Sequence, residues 1–320
     1  MIKVLLYDSE TKIIEKTDVG RLKERGLAER LIWVDLDSPT KEEIDAIVRE
    51  LDIKPLTMRM ITSERLPPKI IIGHTMAFLS WSSLDAAGKG ESKRFSCVFG
   101  HGFLVTFRQG PVHAVDEILT SVERDSELMS QGSGRLLYEI LDAAVDGCFL
   151  AVDALSEEVD ALEDAMFGSP GANDVRRLFT IKRGMLDLRR TVAPEREAIN
   201  SLLRRHLSYQ SENDQLFFAD LYDHLVRVID LIDTLRDVTS GAMQIYQATI
   251  SNNLNAIMKT LTIIATIVMP LTLLSGFFGM NVDWFGGGAL LPAYALIIVT
   301  LVMLVIAVGM LAWFWKRGWL

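Results

Sequence analysis

Near its C-terminal end the chain stops alternating between polar and apolar positions. Leu261 to Phe278, extendable back to Ile257, is one apolar run and Leu290 to Trp315 is a second. Each is about as long as the roughly 20 residues a helix needs to cross the hydrocarbon core of a bilayer. The pattern therefore predicts transmembrane helices over 257–278 and 291–315, joined by a short loop over 279–290. Pro270 falls inside the first run; a spanning helix tolerates it where a neighbour or water takes the freed carbonyl.

Upstream the periods are those of a soluble part. "IKVLLY" and "RLIWVDLD" read as strands, and Ser38-Pro39 with Glu42 and Glu43 behind it predicts a helix start with a cap, an N1 proline and acids against the dipole. "KIIIGHTMAFLSWSSL" and "RFSCVFGHGFLVTFRQ" are β-rich runs joined by turn residues Asp85 to Gly90. From about Val112 the pattern is helical: acid-rich "DALSEEVDALEDAMFG" and basic "VRRLFTIKRGMLDLRR" flank a Gly-Ser-Pro-Gly break and predict an antiparallel hairpin with solvated, modestly paired charged faces. The expected organisation is an α/β domain over 1–130, a helical hairpin over 131–205, a stalk helix over 206–256, the two spans with their loop, and a basic tail over 316–320.

Between Asp220 and Pro270 no proline interrupts the chain, so one helix is expected to run from the soluble part into the membrane. At 100° per residue one narrow face of it collects Ser240, Gln244, Gln247, Ser251, Asn255, Met258, Thr262, Ala265, Met269, Thr272 and Gly276. Several recur eleven positions apart, the spacing of a right-handed supercoil. Small residues alone on such a face would indicate helix packing. Amides, hydroxyls and methionines together must face protein or water rather than lipid, and a water-filled axial pathway built from several copies accounts for them better.

Charge sharpens this picture. Of 320 residues 49% are hydrophobic, and the formal net charge is -9, which argues against nucleic acid as a partner. From Thr260 to Trp315 the only Asp, Glu, Lys, Arg or His is Asp283, so the acidity lies upstream of the spans. Lys259 precedes the first span, Lys316 and Arg317 follow the second, and the loop between has neither Lys nor Arg; both termini are expected on the cytoplasmic side, with Trp313, Trp315 and Trp319 as an interfacial belt. "MIKVLLYDSE" is too short in its apolar run for a signal peptide, which places the soluble part in the cytoplasm. Cys97 and Cys148 read as buried thiols. The five histidines lack i,i+4 pairs or an adjacent acid-ligand motif, so a zinc enzyme is disfavoured, and no nucleophile arrangement appears. "AAGKGES" lacks the leading glycine of a phosphate loop, and "GHGFLV" reads as a tight turn.

"NAIMKTLTIIATIVMPLTLLSGFFGMN" resembles the signature segment of the CorA family of divalent-cation channels, and the likeness continues through the second span to "KRGWL". "DLYDHLVRVIDLIDTLRDVTSG" resembles that family's stalk helix and "RLPPKI", more weakly, its cytoplasmic domain. The resemblance implies an α/β cytoplasmic domain, a long stalk helix and two transmembrane helices, assembled as a funnel-shaped homopentamer in the inner membrane with the first span lining one pore. It implies Gly279, Met280 and Asn281 as the selectivity filter, and Gly276, Thr272, Met269, Leu261, Met258 and Asn255 as the path inward, with Met258 and Leu261 the apolar gate. Thr262 and Ala265 join the path from the polar face, Asp283 would concentrate cations at the outer mouth, and Lys259, Lys316 and Arg317 would form an inner basic ring. Asp220 and Asp223 remain as a regulatory metal pair.

The chemistry suits Mg²⁺, which sheds water reluctantly and prefers oxygen ligands, because neutral amides can hold it through its hydration shell and release it. The expected cargo is Mg²⁺, with Co²⁺ or Ni²⁺ beside it. Arg59 and Met60 stand where magnesium members carry the acids that partner the stalk aspartate, and Gln244 stands where an acid often lines the stalk. "VDWFGGGALLP" replaces the usual Pro-Glu-Leu stretch and is similar to the ZntB zinc-transport branch, so a Zn²⁺ transporter, proton-coupled or not, is the alternative. A tethered cytoplasmic binding protein is the third reading; a tether has no use for the polar face.

Overall fold

The computed structural model describes residues 2–8, 13–16, 30–53, 61, 67–84, 92–167, 171–205, 207, 209, 211–279 and 293–319. Residues 1–243 form one compact unit and 244–320 a second.

The first unit is built on a seven-stranded sheet in the order β2-β1-β3-β7-β6-β5-β4. Its strands are β1 (Ile2–Asp8), β2 (Ile13–Lys16), β3 (Arg30–Asp37), β4 (Lys69–Ile72), β5 (Met76–Ser83), β6 (Lys93–Gly100) and β7 (Phe103–Arg108). Every pairing is antiparallel except β3 with β7, where Ile32 to Asp37 run beside Phe103 to Arg108. The central strands are apolar on both sides because both faces are covered. On one face Val34, Val105, Val98 and Phe78 align across four strands and pack with Ile44 and Ile47 of α1 (Lys41–Glu50). On the other, Trp33, Leu104, Cys97 and Leu79 lie beneath helices. These are α2 (His113–Arg124), α4 (Ser133–Phe167) and α5 (Ala172–Leu203), with the single turn α3 (Glu127–Ser130) between α2 and α4. Both cysteines are buried free thiols, pushed up from the ordinary thiol value chiefly by burial.

The β6–β7 hairpin closes through His101 and Gly102, the glycine at φ +76. The helix start after β3 differs from the sequence expectation. Thr40, not Ser38, is the N-cap: its hydroxyl accepts from the Glu43 amide at 3.3 Å and the Glu43 carboxylate accepts from the Thr40 amide at 2.8 Å, a reciprocal capping box. Ser38 sits at φ +50 and donates to Asp37 Oδ1 at 2.9 Å, while Gly110 donates its amide to that same oxygen at 2.9 Å. Pro39 therefore lies before the cap, where its missing N–H costs nothing to the helix.

Helices α4 and α5 pack as a hairpin. Buried Val159, Leu162 and Met166 belong to α4 and Leu178, Ile181 and Met185 to α5, and a Cβ at Gly184 would stand 3.2 Å from Leu155. The described ion pairs of α5 run to Asp174 and Asp187 on itself and to Asp233 on α6 (Glu212–Gly279). The apolar seam, rather than opposite charge, holds the hairpin, consistent with the small worth of exposed ion pairs.

The second unit holds the C-terminal part of α6 and α7 (Ala293–Lys316). Both helices are long and apolar enough to cross a membrane. Leu261, Ile264, Val268, Leu273, Ile297, Leu301, Leu304 and Val305 are all half-exposed or more. So large a bare apolar surface belongs in lipid or against other chains.

Candidate functional site

In the second unit the polar face predicted from sequence is a continuous exposed stripe. Gln244, Gln247, Ser251, Asn255, Met258, Thr262, Ala265, Met269, Thr272 and Gly276 are all exposed, and none is covered by another part of the chain. Met258 at 59% and Met269 at 72% are the large side chains on it. Leu261, 57% exposed, stands at its edge. The covered or half-covered positions Lys259, Ile263, Ile267, Leu274 and Phe278 recur at spacings of four and seven residues on the other side, about 150° round the helix.

Two hydroxyls on the stripe are already committed as donors. Thr262 Oγ1 donates to the Met258 carbonyl at 2.7 Å and Thr272 Oγ1 to the Val268 carbonyl at 2.8 Å. With the proton used inside the helix, each oxygen turns only lone pairs outward. At these two positions the wall accepts from water or faces a cation and offers no donor to an anion. A shallow apolar concavity lies along the same stretch between Ala265, Met269, Thr272, Gly276 and Phe277, where Gly276 contributes no side chain.

At the other end of α7 the tail folds back on itself. Gly318, at φ +68, donates to the Trp315 carbonyl at 3.0 Å, and Trp319 donates to the Phe314 carbonyl at 3.0 Å. This is a Schellman cap with its apolar contact, the Phe314 and Trp319 rings lying 5.5 Å apart. Lys259 Nζ donates to the Gly318 carbonyl at 2.8 Å and lies 5.9 Å from the Trp319 ring. The Arg317 guanidinium stacks on Trp313 at 4.5 Å. Lys259, Lys316 and Arg317 thus share one end of the unit, and Lys259 is turned toward the tail rather than along the stripe.

Met280, Asn281 and Asp283 lie outside the described residues, as do Arg59 and Met60; Gly279 is the last described residue of α6. Asp220 and Asp223 belong to the first unit. Asp220 accepts from Tyr138 Oη at 2.8 Å, and its other oxygen is 3.8 Å from His224 Nε2. His224 Nδ1 is 3.0 Å from Asp142 Oδ1. Burial, then the bond to Asp220, pushes the Tyr138 phenol up; burial, then the Asp142 charge, raises Asp146. Asp223 is exposed one turn further along α6, at i+3 from the exposed Asp220 and about 60° round the helix from it. The structure therefore joins Asp220 to Tyr138, Asp142 and His224. Sequence reading missed these partners, although Asp220 and His224 stand i,i+4 on one helix, a spacing that sets an acid beside an imidazole. Among the described residues no three His, Cys, Asp or Glu side chains are placed to hold a metal ion.

Comparison with known proteins gives a consistent result. A family model described as "CorA-like Mg2+ transporter protein" matches residues 28–317. The chain is 29% identical over 325 aligned positions to the cobalt/magnesium transport protein CorA of Thermotoga maritima, covering 100% of this chain and 92% of that one. It is 25% identical over 299 positions to the zinc transport protein ZntB of Pectobacterium atrosepticum, covering 92% and 89%. The solved structure of the complete CorA magnesium transporter from Methanocaldococcus jannaschii superposes with a TM-score of 0.83 at 20% identity, covering 99% of this chain and 98% of that one.

Proposed function

The chain belongs to the family of CorA-like Mg2+ transporter proteins, and from that premise we propose that it is a divalent-cation channel. Five copies surround one axis, the first span of each lines the pore, and Mg²⁺ with Co²⁺ as a companion is the cargo. Both termini are cytoplasmic and the membrane is the inner membrane. The observation that carries this reading is the exposed stripe from Gln244 to Gly276, with its hydroxyl lone pairs turned outward on an otherwise apolar helix.

In a ring of copies the stripe becomes the wall of a wet path. Thr272, Thr262 and Asn255 supply oxygen to a hydrated ion, and Met258 with Leu261 narrows the path to an apolar gate. Asn281 presents an amide ring at the outer end, and Asp283 raises the local cation concentration there. Asp220, held by Tyr138 and His224, with Asp223, is a regulatory metal pair. A divalent ion gains about 4.6 kcal/mol per 100 mV of membrane potential, which supports about a thousandfold accumulation without another energy source.

The test is ion uptake into liposomes containing the purified full-length protein, comparing Mg²⁺ and Zn²⁺ with and without a pH gradient. Mg²⁺ uptake independent of the gradient supports the channel. Gradient-dependent Zn²⁺ uptake would favour the zinc-transport reading suggested by the ZntB relative. Asn281→Ala should abolish selective flux with assembly intact, and unchanged uptake and ion preference would remove Asn281 from the filter.

A further inference from the structure

Lys259 of α6 and Lys316 and Arg317 at the end of α7 share a basic end whose side chains have a further use beside the inner ring expected from sequence. Within residues 244–320 the only Asp or Glu in the sequence is Asp283, which falls between the two spans in sequence. The described ion pairs include none for Lys259, Lys316 or Arg317; the Lys259 ammonium meets the neutral Gly318 carbonyl and the Trp319 ring. Among the described residues the second unit thus carries a compact basic end with no acid side chain beside it.

The placement of that charge is specific. Trp313, Lys316 and Arg317 stand at i, i+3 and i+4, on one face of α7. Gly309 lies one turn before Trp313 on the same face, and a Cβ there would meet nothing within 4 Å. Val305 and Val302, 62% and 43% exposed, continue the face toward the middle of the span. Phe314, 3% exposed, packs edge-on against the Trp313 ring with centroids 5.1 Å apart and so braces the indole from the side of the tail. The Arg317 guanidinium carbon stands 4.5 Å from the centroid of the exposed Trp313 ring, a cation–π distance, and a guanidinium can meet a phosphate at two points.

We propose that this face, with Lys316 and Arg317 above Trp313 and the notch at Gly309 below, binds an anionic phospholipid, the phosphate on the two cations and an acyl chain along Gly309 and Val305. The inference rests on the membrane-spanning reading of α7 given above. The site combines a phosphate-matching fork, an interfacial indole and an apolar notch within about two helical turns, in the order in which a lipid presents headgroup, glycerol and chain. A soluble anion could use the fork but has no use for the notch.

Native mass spectrometry of the detergent-solubilised full-length protein tests it, with phosphatidylglycerol as probe and phosphatidylcholine of the same chains as the neutral comparison. Wild type should retain phosphatidylglycerol preferentially. The double variant Lys316→Gln/Arg317→Gln should lower that retention about thirty-fold, the equivalent of about 1 kcal/mol per cation, and leave phosphatidylcholine unaffected. Gly309→Leu fills the notch with all charges kept and should lower retention of both lipids. Lys182→Gln/Arg183→Gln, on an exposed face of α5, serves as the matched control. Undiminished phosphatidylglycerol retention in the tail variant, an equal loss in the control, or full displacement by inorganic phosphate would overturn the proposal. Lipid preference is read without ion flux, so a protein that retains phosphatidylglycerol but moves no divalent cation would fail as a channel while keeping this site.

Discussion

Glu195 is wholly buried in α5, yet its carboxyl has one donor. Oε1 accepts from the Ser82 amide at 3.0 Å, and Oε2 has no partner. The Ser82 amide needs this acceptor because the β4 ladder on that side of β5 stops at Lys69 opposite Ser80. Burial pushes the carboxyl well above the ordinary glutamate range, against the smaller opposing pull of the Ser82 amide. The folded protein therefore keeps a proton that the unfolded chain releases once pH passes the usual glutamate value. Stability from this group is complete below that value and declines as pH rises toward the raised one, by about 1.4 kcal/mol per pH unit. Glu195→Gln cannot titrate and should lack that slope, so its stability relative to wild type should rise between pH 5 and pH 8 in unfolding curves. Parallel curves would show that Glu195 is not held neutral. Nothing local in "TVAPEREAIN" marks this residue; its burial comes from where a strand 120 or so positions earlier ends, which only the tertiary structure decides.

Among elements, the one parallel pairing carries the buried polar chain. Trp33 Nε1 donates to Thr106 Oγ1 at 3.3 Å, Thr106 Oγ1 donates to Asp35 Oδ1 at 2.7 Å, and Arg108 reaches Asp35 through Nε and Nη2. Arg108 also pairs with Asp116 at 2.9 Å, tying β7 to α2. These side chains come from registers set by Asp35 beside Thr106; a one-residue slip of β3 against β7 would turn Asp35 into the opposite, wholly apolar core. Arg108→Met leaves the buried Asp35 side chain without its ion-pair partner, and should cost about 3–5 kcal/mol in denaturant unfolding. The double variant with Asp35→Asn should recover most of that loss; an equal loss in both would assign the cost to packing instead. The strands themselves were legible because runs buried on both faces are largely apolar, as in Cys97, Val98 and Phe99 of β6. The start of α1 was misread at Ser38 because a serine before a proline satisfies the local rule, while the winning cap at Thr40 depends on the Glu43 carboxylate returning to it.

At the scale of the whole molecule, the long helix and the stripe were legible because an unbroken eleven-residue recurrence survives into the folded chain unchanged. Asn281 and Asp283 lie outside the described residues, and the copies proposed to meet along the stripe lie outside one chain altogether. Symmetry supplies a direct test of that meeting. If copies meet around one axis through this face, Thr272→Cys places like thiols toward one another, whereas Ile267→Cys on the covered side does not. Cys97 and Cys148 are buried, with thiols pushed up, and should not interfere. Oxidation of Thr272→Cys should yield disulfide-linked dimers, and oxidation of Ile267→Cys should not. Parity then counts the ring: neighbours joined in pairs around five positions always leave one over, so the reaction should stop with about one chain in five still monomeric on a non-reducing gel. A four-membered ring would run to completion, and cross-linking at Ile267 in place of Thr272 would turn the stripe away from the axis.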